Sequence, residues 1–415
     1  YTFVPGTLDA TISSTNITGK NFTAPLAANQ VAVYIDGGPA ALSLPAVNIL
    51  YATIKVCVPG TSTCTTIDHV QVDTGSAGLR ILDAGVLPSG FATALPSVRD
   101  PVSSYPLTEC MGFADGYSYG PIKTADVTIG GQTVYGLPIH VIGESDYSTI
   151  PSSYCPGSGV PNTPENTVAA FGANALLGIG NFVYDCGPSC SPGATSTTYY
   201  ACATQAVCQP VTALESSQVA NPMALLASDN NGAVLQLPAV ASSGAAGITG
   251  TLTFGINTQN NNPLRSATVY QLDSSGAYFW TAYPSTSRTA LPAFVDAGSN
   301  GYFFTDNSIP NCNPETYFFC PSSTKKLSGE IVASLPGTNA GPAQSPNTIV
   351  NFTITNFHSF VSATPNYTVD PGLGGSLPAT AGYFDWGLPF FFGRNVYVVV
   401  ENKVIGGVSG PALAF

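Results

Sequence analysis

Two aspartates in matched surroundings are the residues best placed to do chemistry. Val72-Asp73-Thr74-Gly75-Ser76-Ala77-Gly78-Leu79 returns as Val295-Asp296-Ala297-Gly298-Ser299-Asn300-Gly301-Tyr302, with Val, Asp, Gly and Ser at identical offsets. A single Asp-x-Gly-Ser is a common turn in a chain this rich in Gly and Ser, whereas a repeat with shared flanks is a specific signal. Two carboxylates brought together cannot both ionise freely, so they share a proton, and one can act as base while the other acts as acid. Such a pair titrates as a unit. The glycines let the backbone turn sharply and bring N–H groups toward the carboxylates. Matched aspartates on matched turns imply two lobes meeting at a paired carboxylate.

The elements that must position this pair read as strands. From Val31 the chain runs through VAVYI, AVNILYATIKVCV and TTIDHVQVDTG, all β-branched or aromatic between Gly/Pro breaks. Asp115-Gly116 between aromatics, and Gly130-Gly131 further on, signal hairpins. Short helices fit 167–171 and 222–227, and nothing long and amphipathic occurs, so the fold class is mainly β. Each motif is followed by an apolar residue and glycine: Leu176-Leu177-Gly178 after the first, Asp385-Trp386-Gly387 after the second. Both halves thus carry the same landmarks in the same order. The organisation expected is an extended arm over 1–29, an N-terminal lobe over 30–220 with a Cys-rich insertion at 184–212, and a C-terminal lobe over 221–415.

At 415 residues the chain is too long for one core and suits two. It holds 11 basic against 23 acidic residues, which argues against a nucleic-acid partner. No run of 18 apolar residues occurs, so no transmembrane segment is expected. The start at Tyr1 without a signal peptide suggests a mature product. Few carboxylates can be protonated and few cations repel one another, so acid should do limited damage.

Ten cysteines fall into sequence-local groups: Cys57 with Cys64, Cys110 with Cys155, Cys186 with Cys190, Cys202 with Cys208, and Cys312 with Cys320. Their loop-like settings read as disulfides of an oxidising compartment, with connectivity left open. The zinc alternative rests on Cys186, Cys190, Cys202 and Cys208, a loose match to ligand spacing. Four sequons, at Asn16, Asn21, Asn351 and Asn366, fit a glycosylated extracellular or cell-surface protein. His69, His140 and His358 read as ordinary strand residues, and Trp386 with Phe390-Phe391-Phe392 as core.

Asp-Thr-Gly-Ser, then apolar-apolar-Gly, then both again, resembles the pepsin-like aspartic peptidases. Gly250–Gly255 resembles the strand opening that family's second lobe, and Gly393–Val399 its closing strand. More narrowly, DTGSAGLRI, ENTVAAFGAN, DNNGAVLQLPA, DAGSNGYFF and FDWGLPFFFGR resemble an uncharacterised family of exported bacterial proteins that shares these motifs and brings no established activity. The resemblance implies a bilobal double β-barrel with the cleft between lobes. It implies metal-free, cofactor-free peptide hydrolysis by water between Asp73 and Asp296. Ser76 and Ser299 would then bond the outer carboxylate oxygens, and Thr74 would reach across to lock the two loops.

The chain departs from that pattern in three places. Ala297 stands where the second cross-lobe hydroxyl belongs, so half of the lock is missing. Phe113 stands where a tyrosine hydroxyl caps the cleft in the flap that Asp115 and Gly116 would turn, unless Tyr117 or Tyr119 takes that role. Arg80 replaces the tryptophan that partners this tyrosine, and a cation beside the pair would favour ionised carboxylates. It is read as a salt-bridged wall residue.

Two functions follow. One is a secreted aspartic endopeptidase acting on polypeptide in acid. The other is a non-catalytic extracellular structural protein, such as a filament or surface-matrix subunit. Its motivation is the arm, where Leu8, Ala10 and Ile12 alternate with Asp9, Thr11 and Ser13. Such an arm can pair within its own chain, cover the cleft as a prosegment, or add a strand to a neighbouring copy.

Overall fold

Runs of Val, Ile, Tyr and Thr favour extended backbone because branched and aromatic side chains pack well on a pleated, half-buried surface. The computed structural model describes residues 26–415 apart from 148–149, 151–154, 156–162, 195–197, 206, 314–316 and 379. The arm up to residue 25, with Asn16 and Asn21, lies outside the described residues. In chain order come β1 (Gln30–Ile35), β2 (Tyr51–Cys57), β3 (Cys64–Asp73), β4 (Ala77–Leu82), β5 (Leu107–Gly112), β6 (Tyr117–Ile129), β7 (Gln132–Ile142) and β8 (Ala175–Ile179). β9 (Tyr199–Thr204) and β10 (Val207–Pro210) form a hairpin, and β11 (Gly232–Gln236), β12 (Ile248–Phe254) and β13 (Val269–Gln271) follow. Next are β14 (Phe279–Ala282), β15 (Ala290–Val295), β16 (Tyr302–Phe304), β17 (Lys325–Ser334), β18 (Pro342–Ile354), β19 (Gly374–Ser376) and β20 (Phe384–Trp386). The chain ends with β21 (Asn395–Val399), β22 (Val404–Ile405), β23 (Val408–Ser409) and β24 (Ala412–Ala414).

The architecture is mainly β and bilobal. Strands β2, β3, β8, β4, β7 and β6 pair in that order, and β6 pairs back onto β2, closing a barrel. The second sheet, β18-β17-β14-β15-β20-β16-β19, curls without closing. A seam sheet, β1-β12-β11-β21-β24-β13, continues from the barrel. The Gly250–Gly255 and Gly393–Val399 stretches therefore lie in this seam, against β1 and β24, and not in the second curled sheet. The barrel strands contribute Ile54, Val70, Leu79, Val127 and Ile139 to the hydrophobic core, all buried.

The repeated motif marks a repeated strand arrangement. β3 pairs in parallel with β8, β8 in antiparallel with β4, and β4 in parallel with β7. β15, β20, β16 and β19 reproduce the same parallel, antiparallel, parallel sequence. Each aspartate lies at the end of the first strand of its set, and each matched glycine on or beside the second. Both glycines sit where chains cross: a Cβ on Gly178 would lie 2.8 Å from Ser76 Oγ, and one on Gly387 would lie 2.0 Å from the Gly301 carbonyl oxygen.

Three short α-helices occur among the described residues: Phe91–Ala94, Val168–Phe171 and Phe357–Ala363. The last carries His358, so that residue is helical and not in a strand; Asn356 Oδ1 caps its start by accepting from the Ser359 N–H at 2.8 Å. His69 sits at a bulge, where the β2–β3 register shifts between Ala52 and Ile54, and its φ is 46°. Trp386 is buried against Phe352, Phe384 and Phe390, and its indole N–H reaches Thr281 Oγ1 at 2.8 Å. Burying each such ring contributes roughly 1.5–3 kcal/mol.

Disulfides join Cys57–Cys64, Cys110–Cys155, Cys186–Cys190, Cys202–Cys208 and Cys312–Cys320, each within one local group. The four cysteines of the zinc alternative are thus bonded in pairs and present no thiolates. Cys312, Cys320 and His358 also gather closely, but their sulfurs are bonded to each other. Asn351 and Asn366 are exposed. Among the described residues no helix is long and apolar enough to cross a membrane.

Gly387→Ala should cost at least about 3 kcal/mol or prevent folding, because the obstructing atoms are backbone. Gly341→Ala, with nothing within 4 Å of the new methyl, should stay within about 0.5 kcal/mol. Urea midpoints of the two variants test this.

Candidate active site

The two motif turns present their carboxylates in the same way. Asp73 Oδ1 accepts the Gly75 N–H at 2.7 Å, and Asp296 Oδ1 accepts the Gly298 N–H at 2.7 Å. Ser76 Oγ donates to Asp73 Oδ2, and Ser299 Oγ donates to Asp296 Oδ2 at 2.8 Å. Each carboxylate is therefore held by one backbone and one hydroxyl donor. The turns also face each other. A Cβ on Gly75 would meet Asp296 Oδ1 at 2.8 Å, and one on Gly298 would meet Asp73 Oδ1 at 2.7 Å. Only glycine leaves room for the opposite carboxylate. Burial, and then the Asp73 charge, push Asp296 well above the usual carboxylate range, with a hydrogen bond between the two acids adding to it.

Thr74 makes the one hydroxyl lock. Its Oγ1 donates to the Val295 carbonyl at 3.1 Å and accepts the Ala297 N–H at 2.9 Å. Ala297 cannot return these bonds. Two amides bridge the same seam instead: Gln71 Nε2 donates to the Gly298 carbonyl at 2.8 Å, and Asn48 Nδ2 to the Asn300 carbonyl at 2.9 Å. Neither residue stands out in the sequence, because a single amide carries no motif.

Arg80 does not act on the dyad as a free cation. Its guanidinium is fully buried between Glu109 Oε1, at 3.0 Å, and Asp185 Oδ2, at 3.1 Å, and also donates to the Ala77 carbonyl. His140 Nδ1 lies 2.8 Å from Glu109 Oε2, and Tyr199 Oη donates to Asp185 Oδ1 at 2.7 Å. Burial alone would raise Glu109, but the Arg80 charge together with the Asp185 and His140 contacts outweighs it and holds the carboxyl below its ordinary value. Burial and then Glu109 push Asp185 well upward. The sequence offered no route to this cluster, whose members stand 29 and 105 residues from Arg80.

The hairpin β5–β6 turns at Phe113–Gly116, with the Phe113 N–H donating to the Gly116 carbonyl at 2.7 Å. Phe113 packs edge-on against Phe171 and lies 6.0 Å from the Arg80 guanidinium. Tyr119 does not supply a capping hydroxyl: it is buried, and its Oη donates to Thr108 Oγ1 at 3.2 Å beside the Cys202–Cys208 bridge. Tyr117 is buried with Tyr119 and Cys155. The turn is tied to 163–165: Tyr117 N–H donates to the Thr163 carbonyl at 2.9 Å and Glu165 N–H to the Tyr117 carbonyl at 2.8 Å. Glu165 is buried there, and burial followed by the Asp115 charge raises its carboxyl to about 8.

A third acid was hidden in the second apolar-Gly landmark. Asp385 is buried beside the dyad with Oδ1 unpartnered, and burial followed by the Asp73 charge pushes it well above its ordinary value.

Two β lobes built on one repeated strand arrangement, with an aspartate from each facing the other across a seam, define a pepsin-like aspartic-protease-type fold. The family model described as "Protein of unknown function (DUF3443)" matches residues 25–415, and the chain belongs to that family. Among solved structures the chain is similar to an aspartic proteinase from Irpex lacteus, with 15% identity, a TM-score of 0.49, and coverage of 94% of this chain and 96% of that one. No curated protein matches.

Thr74→Val should leave the Val295 carbonyl and the Ala297 N–H without partners, at about 1–3 kcal/mol for each, while Thr74→Ser keeps most of the stability; chemical denaturation distinguishes them. Because Glu165 is raised in the fold, its contribution to stability is full below its unfolded value of about 4.5 and is lost as pH rises through about 8. Glu165→Gln should flatten that decline, on the order of a few kcal/mol, in melting curves between pH 5 and 8.

Proposed function

We propose that this protein is an aspartic endopeptidase whose Asp73 and Asp296 share one proton and activate a water against a peptide carbonyl. The ionised carboxyl takes a proton from the water, and the protonated one gives its own to the carbonyl oxygen. The observation that carries this reading is the mutual approach of the carboxylates, each touching the position where the other turn's glycine would bear a Cβ. One backbone N–H on Oδ1 and one hydroxyl on Oδ2 of each acid hold the pair without neutralising it. The lobes contributing these acids are 30–220 and 221–415. Five disulfides favour an oxidising, extracellular setting.

A second reading is favoured by the flap. Phe113 has no hydroxyl, and the Tyr119 hydroxyl is spent on Thr108. That suits a non-catalytic extracellular scaffold which keeps the fold.

The endopeptidase reading requires cleavage of an unfolded polypeptide below about pH 5, lost by orders of magnitude in Asp73→Asn and in Asp296→Asn. Mass spectrometry of the products reads this out. Activity equal to wild type in either folded variant would exclude the dyad mechanism, and a chain inactive at every pH would favour the scaffold.

A further inference from the structure

We propose that His69 is a proton-operated latch. As an imidazolium clasped by Asp36 and Asp68 it fastens a loop that braces the second motif turn, and as a neutral ring it lets that loop go. The latch belongs to the fold and does not rest on the peptidase reading.

The charge follows from the geometry of the ring. His69 sits at the β3 bulge with a φ of 46°, a left-handed conformation that histidine enters more readily than most residues. Its Nε2 lies 3.2 Å from Asp36 Oδ2, and its Nδ1 lies 3.3 Å from Asp68 Oδ2. An ionised carboxylate only accepts hydrogen bonds, and a neutral imidazole has a single N–H. Two ring nitrogens that each face a carboxylate therefore need two hydrogens, which is the cationic form. The side chain is 18% exposed, so its proton can exchange with solvent.

The ring grips both ends of one loop. Asp36 directly follows β1 and Tyr51 opens β2, so the connection between those strands starts and finishes at His69. Tyr51 packs edge-on to the imidazole at 5.0 Å and Tyr34 at 5.6 Å, and the His69 N–H donates to Tyr34 Oη at 3.1 Å. Within the loop, Asp36 Oδ1 accepts the Gly38 N–H at 2.8 Å, and the Ala46 N–H donates to the Gly37 carbonyl at 3.0 Å. The same loop reaches the second motif through Asn48, which is fully buried. Asn48 Nδ2 donates to the Asn300 carbonyl at 2.9 Å and to the Asp370 carbonyl at 2.7 Å. Its Oδ1 accepts the Asp370 N–H at 2.8 Å, and its own N–H donates to the Thr368 carbonyl at 2.8 Å.

The titratable groups facing the ring are Asp36 after β1, Asp68 beside it on β3, Tyr34 on β1 and Tyr51 on β2. Asn174, ahead of β8, does not titrate and holds Asp68 Oδ1 at 2.9 Å. Burial pushes both tyrosines up, so they stay neutral beside the ring. Burial would lower His69, but its bonds to Asp36 and then Asp68 outweigh it and carry the ring from 6.5 to about 9. The same bond holds Asp68 below its ordinary value. The folded value lies above the unfolded one. The latch's contribution is therefore complete below about pH 6.5 and is lost as pH rises through about 9.

The test is nitrogen-15 NMR of the full chain labelled in its histidines, run beside amide hydrogen exchange from about pH 6 to 10, in wild type and His69→Asn. Asparagine tolerates the left-handed backbone and cannot carry the charge. The signal lost in the variant identifies His69 among the three histidines. That ring should titrate above 6.5, near 9. Protection of the Asn48 and Asp370 amides, corrected for intrinsic exchange, should fall in wild type with the same midpoint. In the variant it should be low already at about pH 6 and show no such step. A His69 midpoint at or below 6.5 overturns the charged latch. A high midpoint with no matching fall in protection overturns its hold on the seam, and marks a histidine that is only structural. If His69→Asn does not fold, Asp36→Asn takes its place: it must lower the His69 midpoint, and one that stays or rises overturns the proposal. Neither readout needs activity, so the outcome stands apart from the peptidase reading.

Discussion

Everything around the seam answers one constraint: two carboxyl groups must be held together with little access to water. Two unit charges about 4 Å apart repel by about 4 kcal/mol at an effective dielectric of 20. The fold meets this with donors on each acid and with glycines that remove the atoms which would push the acids apart. The repeated strand arrangement then fixes each turn at the end of a buried strand, so neither can drift without breaking sheet pairing.

The cross-seam bonds distribute that task unequally. Thr74 serves both a carbonyl and an N–H of the other lobe, and Ala297 serves none in return. Gln71 and Asn48 tie the same second turn through other carbonyls. Asp296 thus belongs to the turn that is held by its partner, and burial pushes its carboxyl well above the ordinary range. Just beyond the first motif, Arg80 carries its charge buried and answered by Glu109 and Asp185. Such a group is costly to desolvate and stable only when paired, so it acts as wall and not as anchor.

The parts legible in the sequence were those encoded locally. The motif repeat, the Asp115-Gly116 and Gly130-Gly131 turns, the helix Val168–Phe171 and the single 3-10 turn Met223–Leu225 each depend on neighbours in the chain. What stayed hidden depends on partners far away. Asp385 sits in an otherwise apolar landmark and reads as a variant of it, because nothing local says that its carboxyl is buried. His358 read as a strand residue because the cap at Asn356 that starts its helix is a single weak signal. His69 read as regular because a bulge follows from the register of two strands and not from one.

The sequence by itself determined that two lobes of β structure each bring an Asp-x-Gly-Ser turn to a common seam, since a repeat of turn chemistry with strand-like flanks has few other meanings. Tertiary structure alone decided the surroundings of the acids. It placed Glu109 and Asp185 around Arg80, spent the Tyr119 hydroxyl on Thr108, and buried Asp385 on the strand between β15 and β16. The physical reason is range. Turn and strand preferences act over a few residues, whereas the proton inventory of a buried carboxyl is the sum of burial and charges that only folding brings together.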